Sequence, residues 1–168
     1  MNALQLWQRC PEFIDIDAEK RSIRLLKRDD CYAIRGKLSQ QQSSDVMMRL
    51  PGDGISILRG APPGDALPAF EFLPVYAVAG NSPPTVVTER VFLRLEEVTP
   101  IESVRIDLET LGFNIDNVPA HARHCAWLEP KSGRVDDALS NLGRLRALPG
   151  AAHVEPQLLR PRSWKNRL

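Results

Sequence analysis

The stretch that decides the fold runs from Thr88 to Pro156 and has the sequence TERVFLRLEEVTPIESVRIDLETLGFNIDNVPAHARHCAWLEPKSGRVDDALSNLGRLRALPGAAHVEP. Apolar and polar residues alternate at the start of it, in residues 91–96, which is the period of a half-buried strand. Apolar residues recur every three or four positions in residues 101–111 and 135–145, which is the period of an amphipathic helix. With the extended segments between and after them, the predicted order is strand, helix, strand, strand, helix, strand.

Local signals predict where these helices begin and end. Thr99 and Glu102 have the spacing of a capping box, with Pro100 at the first helical position, where its missing N–H costs nothing. Gly112 supplies a left-handed stop after the first helix, and Pro149 with Gly150 ends the second. The two helices are therefore bounded on both sides.

This order predicts an α+β fold in which residues 88–159 form a ferredoxin-like antiparallel sheet with both helices on one face. In the strand order 4-1-3-2 the last strand lies at an edge. Pro156 agrees with that position, because proline cannot donate a ladder hydrogen bond. The other sheet face is left open, and we expect Phe92 and one of Trp127 or Leu128 to lie on it.

The sequence before this unit predicts a smaller β-rich part. Its predicted elements are strands at residues 13–17, 22–26, 31–37, 53–58 and 70–80 and a helix of two or three turns within residues 39–52. Pro74 confines the last of these strands to an edge or a bulge. The segment NSPPT (81–85) predicts a boundary, which gives domains at 1–82 and 83–159 and a basic tail at 160–168.

Composition excludes several classes of function. The chain has 168 residues, 43% of them hydrophobic, and a net charge of +1, so no global field favours nucleic acid or an anionic membrane as a partner. No apolar run approaches the length of a membrane span, and no signal peptide is recognisable, so we expect a soluble, cytoplasmic protein.

Candidate chemical groups favour structural roles. The three cysteines, Cys10, Cys31 and Cys125, form no CxxC pair, and His121 with His124 lacks a second pair of metal ligands. The acidic pairs at 96–97 and 136–137 suit solvated or helix-start positions better than acid–base catalysis. The glycines of residues 50–65 lack phosphate-loop spacing. We therefore expect no metal, no cofactor and no enzyme activity.

Four segments, VFLRLEEV, LETLGFNI, HCAWLEP and DDALSNLGRLRALPGAAHVEP, carry a family resemblance. Together they resemble the N-terminal prodomain of subtilisin-like serine proteases, the inhibitor-type propeptide family. The closing phrase L-x-x-L-P-G-x-x-x-V-E-P, here residues 145–156, is the most specific part, and the resemblance covers residues 87–156. The preceding segment FLPVYAVAG is similar to relatives with a degenerate first copy of the unit, which would span residues 31–79.

The resemblance implies a function. In the family the open sheet face lies on two helices of the protease, an acidic residue of the last strand caps their N-termini, and the C-terminal tail enters the active-site cleft. Glu155 matches the capping position, while Gln157 stands where relatives often carry a second acid. The implied protease-binding residues of this chain are Phe92, Trp127, Glu155, Gln157, Leu158, Leu159, Arg160, Pro161, Arg162, Ser163 and Trp164.

Two functions follow as expectations. Since nothing in the chain resembles the catalytic blocks of a subtilisin, the first is a free-standing inhibitor or folding chaperone that binds a separately encoded subtilisin-like protease. The second is a ferredoxin-like adaptor that assembles a larger protein complex without inhibiting a protease. Gln157 and the basic tail favour the adaptor, because product-like entry into a cleft usually uses small or apolar residues.

Overall fold

The computed structural model describes residues 1–18, 20–64, 68, 71–79 and 82–161. The chain has a mixed α/β fold with antiparallel sheets. Its first part contains α1 (Ala3–Arg9), β1 (Phe13–Ala18), β2 (Arg21–Lys27), β3 (Cys31–Arg35), α2 (Gln40–Ser43), β4 (Val46–Leu50), β5 (Ile55–Arg59), β6 (Phe72–Leu73) and β7 (Val75–Ala77). Its second part contains β8 (Thr85–Leu95), α3 (Arg105–Thr110), β9 (Phe113–Asn117), β10 (Cys125–Pro130), α4 (Val135–Ser140), α5 (Leu142–Arg146) and β11 (Ala151–Leu159).

The larger sheet has seven strands, arranged around β8. The order is β1-β2-β7-β8-β10-β9, and β11 also pairs with β8. Val91 pairs with both Leu128 of β10 and Pro156 of β11, so these two strands lie on opposite sides of β8. Val86 pairs with Val75 of β7 and with Leu159 of β11. Strands β7 and β10 therefore share one side of β8, and β11 covers the other side along its length.

The smaller sheet has four strands in the order β4-β5-β3-β6. The chain passes from this sheet to the larger one at Pro74, between β6 and β7. Pro74 has no N–H to donate, and its carbonyl accepts from the backbone N–H of Val87 at 3.1 Å. Strands from both sides of the predicted boundary at residues 80–85 thus pair in one sheet, since β7 pairs with β8.

Two clusters of buried side chains hold these layers together. The larger one includes Leu93, Leu108 and Leu145 of the seven-stranded sheet and its helices, each 0% exposed, and extends to Ile34 and Phe72 of the four-stranded sheet. The smaller one joins Ile57 and Leu73 of the four-stranded sheet to Val86 of β8. Within the described residues, no helix is long and apolar enough to span a membrane.

One sequence prediction about the N-terminal part was wrong, and one helix there was not predicted. The predicted helix at 39–52 is only four residues long, and the chain continues as β4. Met47 is exposed whereas Leu50 is buried, and the alternation along β4 is that of a strand. Helix α1 was not predicted from the sequence; its capping box joins Asn2 to Gln5 by two hydrogen bonds of 3.1 and 2.9 Å.

The predicted capping box at Thr99 was wrong as well. The first turn is a 3-10 helix, Ile101–Val104, with Pro100 at the N-cap and no side-chain cap bond. The carboxylate of Glu102 instead accepts two hydrogen bonds from Arg105, at 2.6 and 2.7 Å, so it does not reach back to the start of the helix. The stop signal is confirmed, since Gly112 has a φ of 86°. The predicted second helix is divided at Asn141 into α4 and α5.

Candidate functional site

Two aromatic side chains meet on the sheet face that points away from α3, α4 and α5. Val91 and Leu93 of β8 are buried on the helix side, so Phe92 between them points to the other side. Phe92 pairs in register with Trp127 of β10, and the two ring centroids are 5.3 Å apart. The sequence left Trp127 and Leu128 as alternatives for the position beside Phe92. Leu128 is 0% exposed in the core, so Trp127 occupies that position.

The last strand adds a histidine and a carboxylate to the same face. Glu155 pairs in register with Phe92, and the ring of His153 lies 6.4 Å from that of Phe92. His153 Nε2 is 2.9 Å from Glu155 Oε2, and the Glu155 side chain is 31% exposed. We use the name aromatic face for Trp127, Phe92, His153 and Glu155. The carboxylate of this face already has an imidazole neighbour within hydrogen-bond distance.

Arg90 fixes one side of the aromatic face. Its guanidinium lies over the Trp127 ring, 4.9 Å from the centroid, and forms ion pairs with Asp116 and Glu129. Arg90 Nε is buried and has no hydrogen-bond partner within the described residues, since the Glu129 oxygen is 3.6 Å away. The indole is therefore held between an arginine and a phenylalanine.

A groove of about 460 Å³ runs along the aromatic face. It is lined by Phe92, Trp127 and residues 155–159 of β11. The lining combines two aromatic side chains with one carboxylate and the β11 residues that follow it. We call it the aromatic groove.

Residues 157–161, which were predicted to bind a protease, make contacts within the chain itself. Thr88 Oγ1 donates to Gln157 Oε1 at 2.8 Å, and Arg160 Nε donates to Thr85 Oγ1 at 3.0 Å. Three further residues pack internally, Leu158 against the larger core cluster, Leu159 against the smaller one and Pro161 in a buried position. Arg162, Ser163 and Trp164 lie outside the described residues.

A second and larger cleft was not anticipated from the sequence. It has a volume of about 1220 Å³ and lies between the hairpin of β1 and β2 and strands β8 and β11. Phe92, Glu155, Leu158 and Leu159 line both this cleft and the aromatic groove, whereas His153 lines only the cleft. The alternation of apolar and polar residues in 13–27 indicates the two strands that form one wall of this cleft. It does not indicate which other strands they face, because that depends on the tertiary fold.

Buried ionisable groups lie away from the aromatic face. Burial raises the pKa of the Cys10 thiol to about 12, the nearby Asp136 carboxylate acts in the same direction, and Lys27 opposes them. Burial likewise raises the pKa of the Cys31 thiol to about 11. Burial also raises the pKa of Cys125, against the opposing effect of Arg94. These thiols are thus held in their protonated, unreactive form.

The described part of the chain contains no group of three or more His, Cys, Asp or Glu side chains placed to hold a metal ion. His153 and Glu155 are a pair without a third such partner there. The arrangement on the aromatic face is accordingly one that can make stacking, charge and hydrogen-bond contacts.

Comparisons with known proteins give no relative for this chain. No protein-family model, no curated protein and no solved structure matches it.

Proposed function

We propose that this chain is a non-catalytic protein that binds a subtilisin-like serine protease in trans through its aromatic face. The observation that carries the proposal is the convergence of Phe92, Trp127 and Glu155 on one groove beside the last strand. These residues come from β8, β10 and β11, and they are the sheet-face residues that the prodomain resemblance assigns to the protease contact.

The proposed fold of residues 88–159 is the ferredoxin-like arrangement. It is supported by the pairing of β11 with β8, of β8 with β10 and of β10 with β9, all antiparallel. Numbered along the chain, these strands lie in the order 4-1-3-2. Helix α3 lies in the first crossover, and α4 with α5 in the second.

The four-stranded sheet supports the further proposal of a shortened first repeat. Strands β3, β4, β5 and β6 pair in the order β6-β3-β5-β4, which is again 4-1-3-2 when they are numbered along the chain. The short helix α2 occupies the first crossover of this unit. The segment from Cys31 to Leu73 thus has the same strand order as the segment from Thr85 to Leu159.

The proposed contact has a physical basis. Phe92 and Trp127 are large, partly exposed and mutually packed, which is the character of an interface hot spot. A carboxylate at the N-terminus of a partner helix contributes about 0.3–1 kcal/mol. Glu155 can make that contact once it exchanges the imidazole of His153 for the N–H groups of the helix.

A second candidate function, the adaptor that does not inhibit, is favoured by one specific observation. Arg160 is bonded to Thr85, and Pro161 is buried beside residues 48–53. An inhibitor of the prodomain kind needs these residues in the cleft of the protease. In this chain they would first have to leave their own fold, which costs the hydrogen bond and the burial of the proline.

The test uses the full chain and a purified subtilisin-like protease, with binding measured by calorimetry and inhibition by peptide hydrolysis. We expect Phe92→Ala and Trp127→Ala each to weaken binding about tenfold or more. Phe13→Ala is the matched control, because Phe13 is an exposed phenylalanine outside the aromatic groove.

The outcomes separate the candidates. Binding with inhibition, lost in the Phe92 and Trp127 variants, supports the protease inhibitor. Binding without inhibition supports the adaptor. If no subtilisin-like protease binds, or if the Phe13 variant is affected as strongly as the other two, the protease proposal is wrong.

A further inference from the structure

Strands β1 and β11 are two sheet edges that face each other. Within the described residues β1 pairs only with β2, and β11 only with β8. Four successive antiparallel pairings connect β1 to β11 through β2, β7 and β8. Because four reversals restore the original direction, β1 and β11 run parallel.

A single side chain bridges these edges. Arg146 Nη2 donates to the carbonyl of Asp15 in β1 at 2.7 Å and to the carbonyl of Val154 in β11 at 3.4 Å. Next to this contact lies the cleft of about 1220 Å³ between the β1–β2 hairpin and strands β8 and β11. We call this space the inter-edge cleft. It exceeds the 300–1,000 Å³ typical of small-molecule pockets and can hold several residues of a peptide.

The walls of the inter-edge cleft carry more positive than negative charge. Lys20, Arg21, Arg94 and Arg160 line it, and none of these cations has an ion pair within the described residues. The carboxylates on the walls are Asp17, Asp53 and Glu155, and Glu155 is already bonded to His153.

We propose that the inter-edge cleft receives an extended acidic segment of a protein partner, which pairs along the free edge of β1. Main-chain hydrogen bonds to this edge give such a segment affinity, and the cations on the walls select its side chains. The inference deepens the proposed function, because it names the part of the partner that the chain receives. The inference rests on the proposed function in one respect only, namely that the partner is a protein.

Charge and backbone chemistry decide against two other occupants. Residues 162–168 of the chain itself contain Arg162, Lys165 and Arg167 and no acidic residue, so the cations of the cleft repel them. Single-stranded nucleic acid could stack on Phe92 and His153, but its backbone offers no peptide groups to pair with a strand edge.

The test measures fluorescence anisotropy of a fluorescein-labelled decapeptide of alternating threonine and glutamate, added to the full chain. We expect saturable binding that weakens at about 0.5 M NaCl. We expect the double variant Lys20→Ala/Arg94→Ala to bind about tenfold more weakly. Arg144→Ala is the matched control, since Arg144 is exposed on α5 and does not line the cleft. Circular dichroism and the thermal midpoint verify that each variant is folded.

Three results would overturn the inference. They are no binding of the acidic decapeptide to the wild-type chain, equal binding to the double variant, and tighter binding of a threonine–lysine decapeptide or of oligo(dT). The failure of the proposed function is distinguishable. A chain that binds the acidic decapeptide as expected but no protease keeps the inference and overturns the proposed function. A chain that binds the protease through the aromatic face but gives one of the three results above keeps the proposed function and overturns the inference.

Discussion

Arg35 and Glu89 join the two sheets of the molecule through a pair of parallel hydrogen bonds. Arg35 Nη1 and Nη2 each lie 3.0 Å from an oxygen of the Glu89 carboxylate. Arg35 ends β3 of the four-stranded sheet, and Glu89 lies in the middle of β8. The Glu89 side chain is only 18% exposed, so this two-pronged ion pair is shielded more than an ordinary surface pair.

The Arg35–Glu89 pair should therefore show measurable coupling. We expect Arg35→Ala and Glu89→Ala each to lower the free energy of unfolding by about 1 kcal/mol, with a coupling energy of about 0.5–1 kcal/mol in the double-mutant cycle. Urea unfolding followed by circular dichroism measures both quantities. The Asp15–Arg24 pair is the control, and it should couple more weakly because it lies exposed within one hairpin. Strictly additive effects at Arg35 and Glu89 would contradict the prediction.

Asp136 should destabilise the folded chain when Arg134, its ion-pair partner, is removed. Its side chain is 5% exposed and accepts two hydrogen bonds from Arg134, at 3.0 and 2.6 Å. Arg134→Ala leaves a buried carboxylate without its partner, and we expect a loss of about 2–3 kcal/mol in the free energy of unfolding.

Two further variants test the cause of that loss. Asp137→Ala removes the weaker and more exposed contact of Arg134, at 3.5 Å, and should cost at most about 0.5 kcal/mol. The double variant Arg134→Ala/Asp136→Ala should be more stable than Arg134→Ala alone, since it no longer contains the buried, unpaired carboxylate of Asp136. A double variant that is less stable than Arg134→Ala would show that the cost has another origin.

Stability should fall at alkaline pH because of the buried thiols. Burial raises the pKa of Cys10 from 9.0 to about 12 and that of Cys31 from 9.0 to about 11. The unfolded chain loses these protons above about pH 9, whereas the folded chain keeps them. The unfolded state is thus favoured as the pH rises from 9 towards 11–12, and the stabilisation is complete only below pH 9.

The expected size of this effect is about 1 kcal/mol per thiol between pH 8 and pH 10.5, after allowance for partial burial. Urea unfolding at the two pH values under reducing conditions measures it. The variant Cys10→Ala/Cys31→Ala should lose less free energy of unfolding over the same interval than the wild-type chain. Equal losses in the two proteins would rule out the thiols as the cause.

Two truncations should isolate the contribution of Arg160 and Pro161. One ends the chain after Pro161 and the other after Leu159, so they differ only in these two residues. We expect the shorter chain to be less stable by about 1–2 kcal/mol, because it lacks the hydrogen bond to Thr85 and the buried proline ring. Thermal unfolding of the two chains measures the difference. Equal stability would mean that these residues are available to a partner at no cost, and it would remove the observation that favours the adaptor.

Much of the local structure was predictable from the sequence. The strand at Val91 to Leu95, the apolar stripes of the helices and the stop at Gly112 depend on residues that are close together in the chain, and each is present. The wrong predictions also arose from considering only residues that are close together in the chain. Residues 46–50 fit a short helix by composition, but pairing with β5 makes them a strand. Local propensity is weaker than the hydrogen bonds and burial gained in a sheet.

The candidate site was predictable only in part. Alternation placed Phe92 on the face opposite the helices, but it left Trp127 and Leu128 as alternatives. The choice depends on the register of β10, in which Trp127 pairs with Phe92 and an irregularity separates Trp127 from Leu128 in the pairing with β9. The pairing of His153 with Glu155 was not foreseen.

The sequence by itself determined the order of strands and helices in Thr88–Pro156, the edge position of Pro156 and the presence of aromatic side chains opposite the core. These features arise from periodicity and backbone chemistry, which act over a few residues. Only the tertiary structure decided that β7 joins β8, that β1 and β11 leave a cleft between them, and that Arg160 is bonded to Thr85. Those contacts link residues up to 131 positions apart, as between Arg146 and Asp15, and no local pattern specifies which distant edges meet.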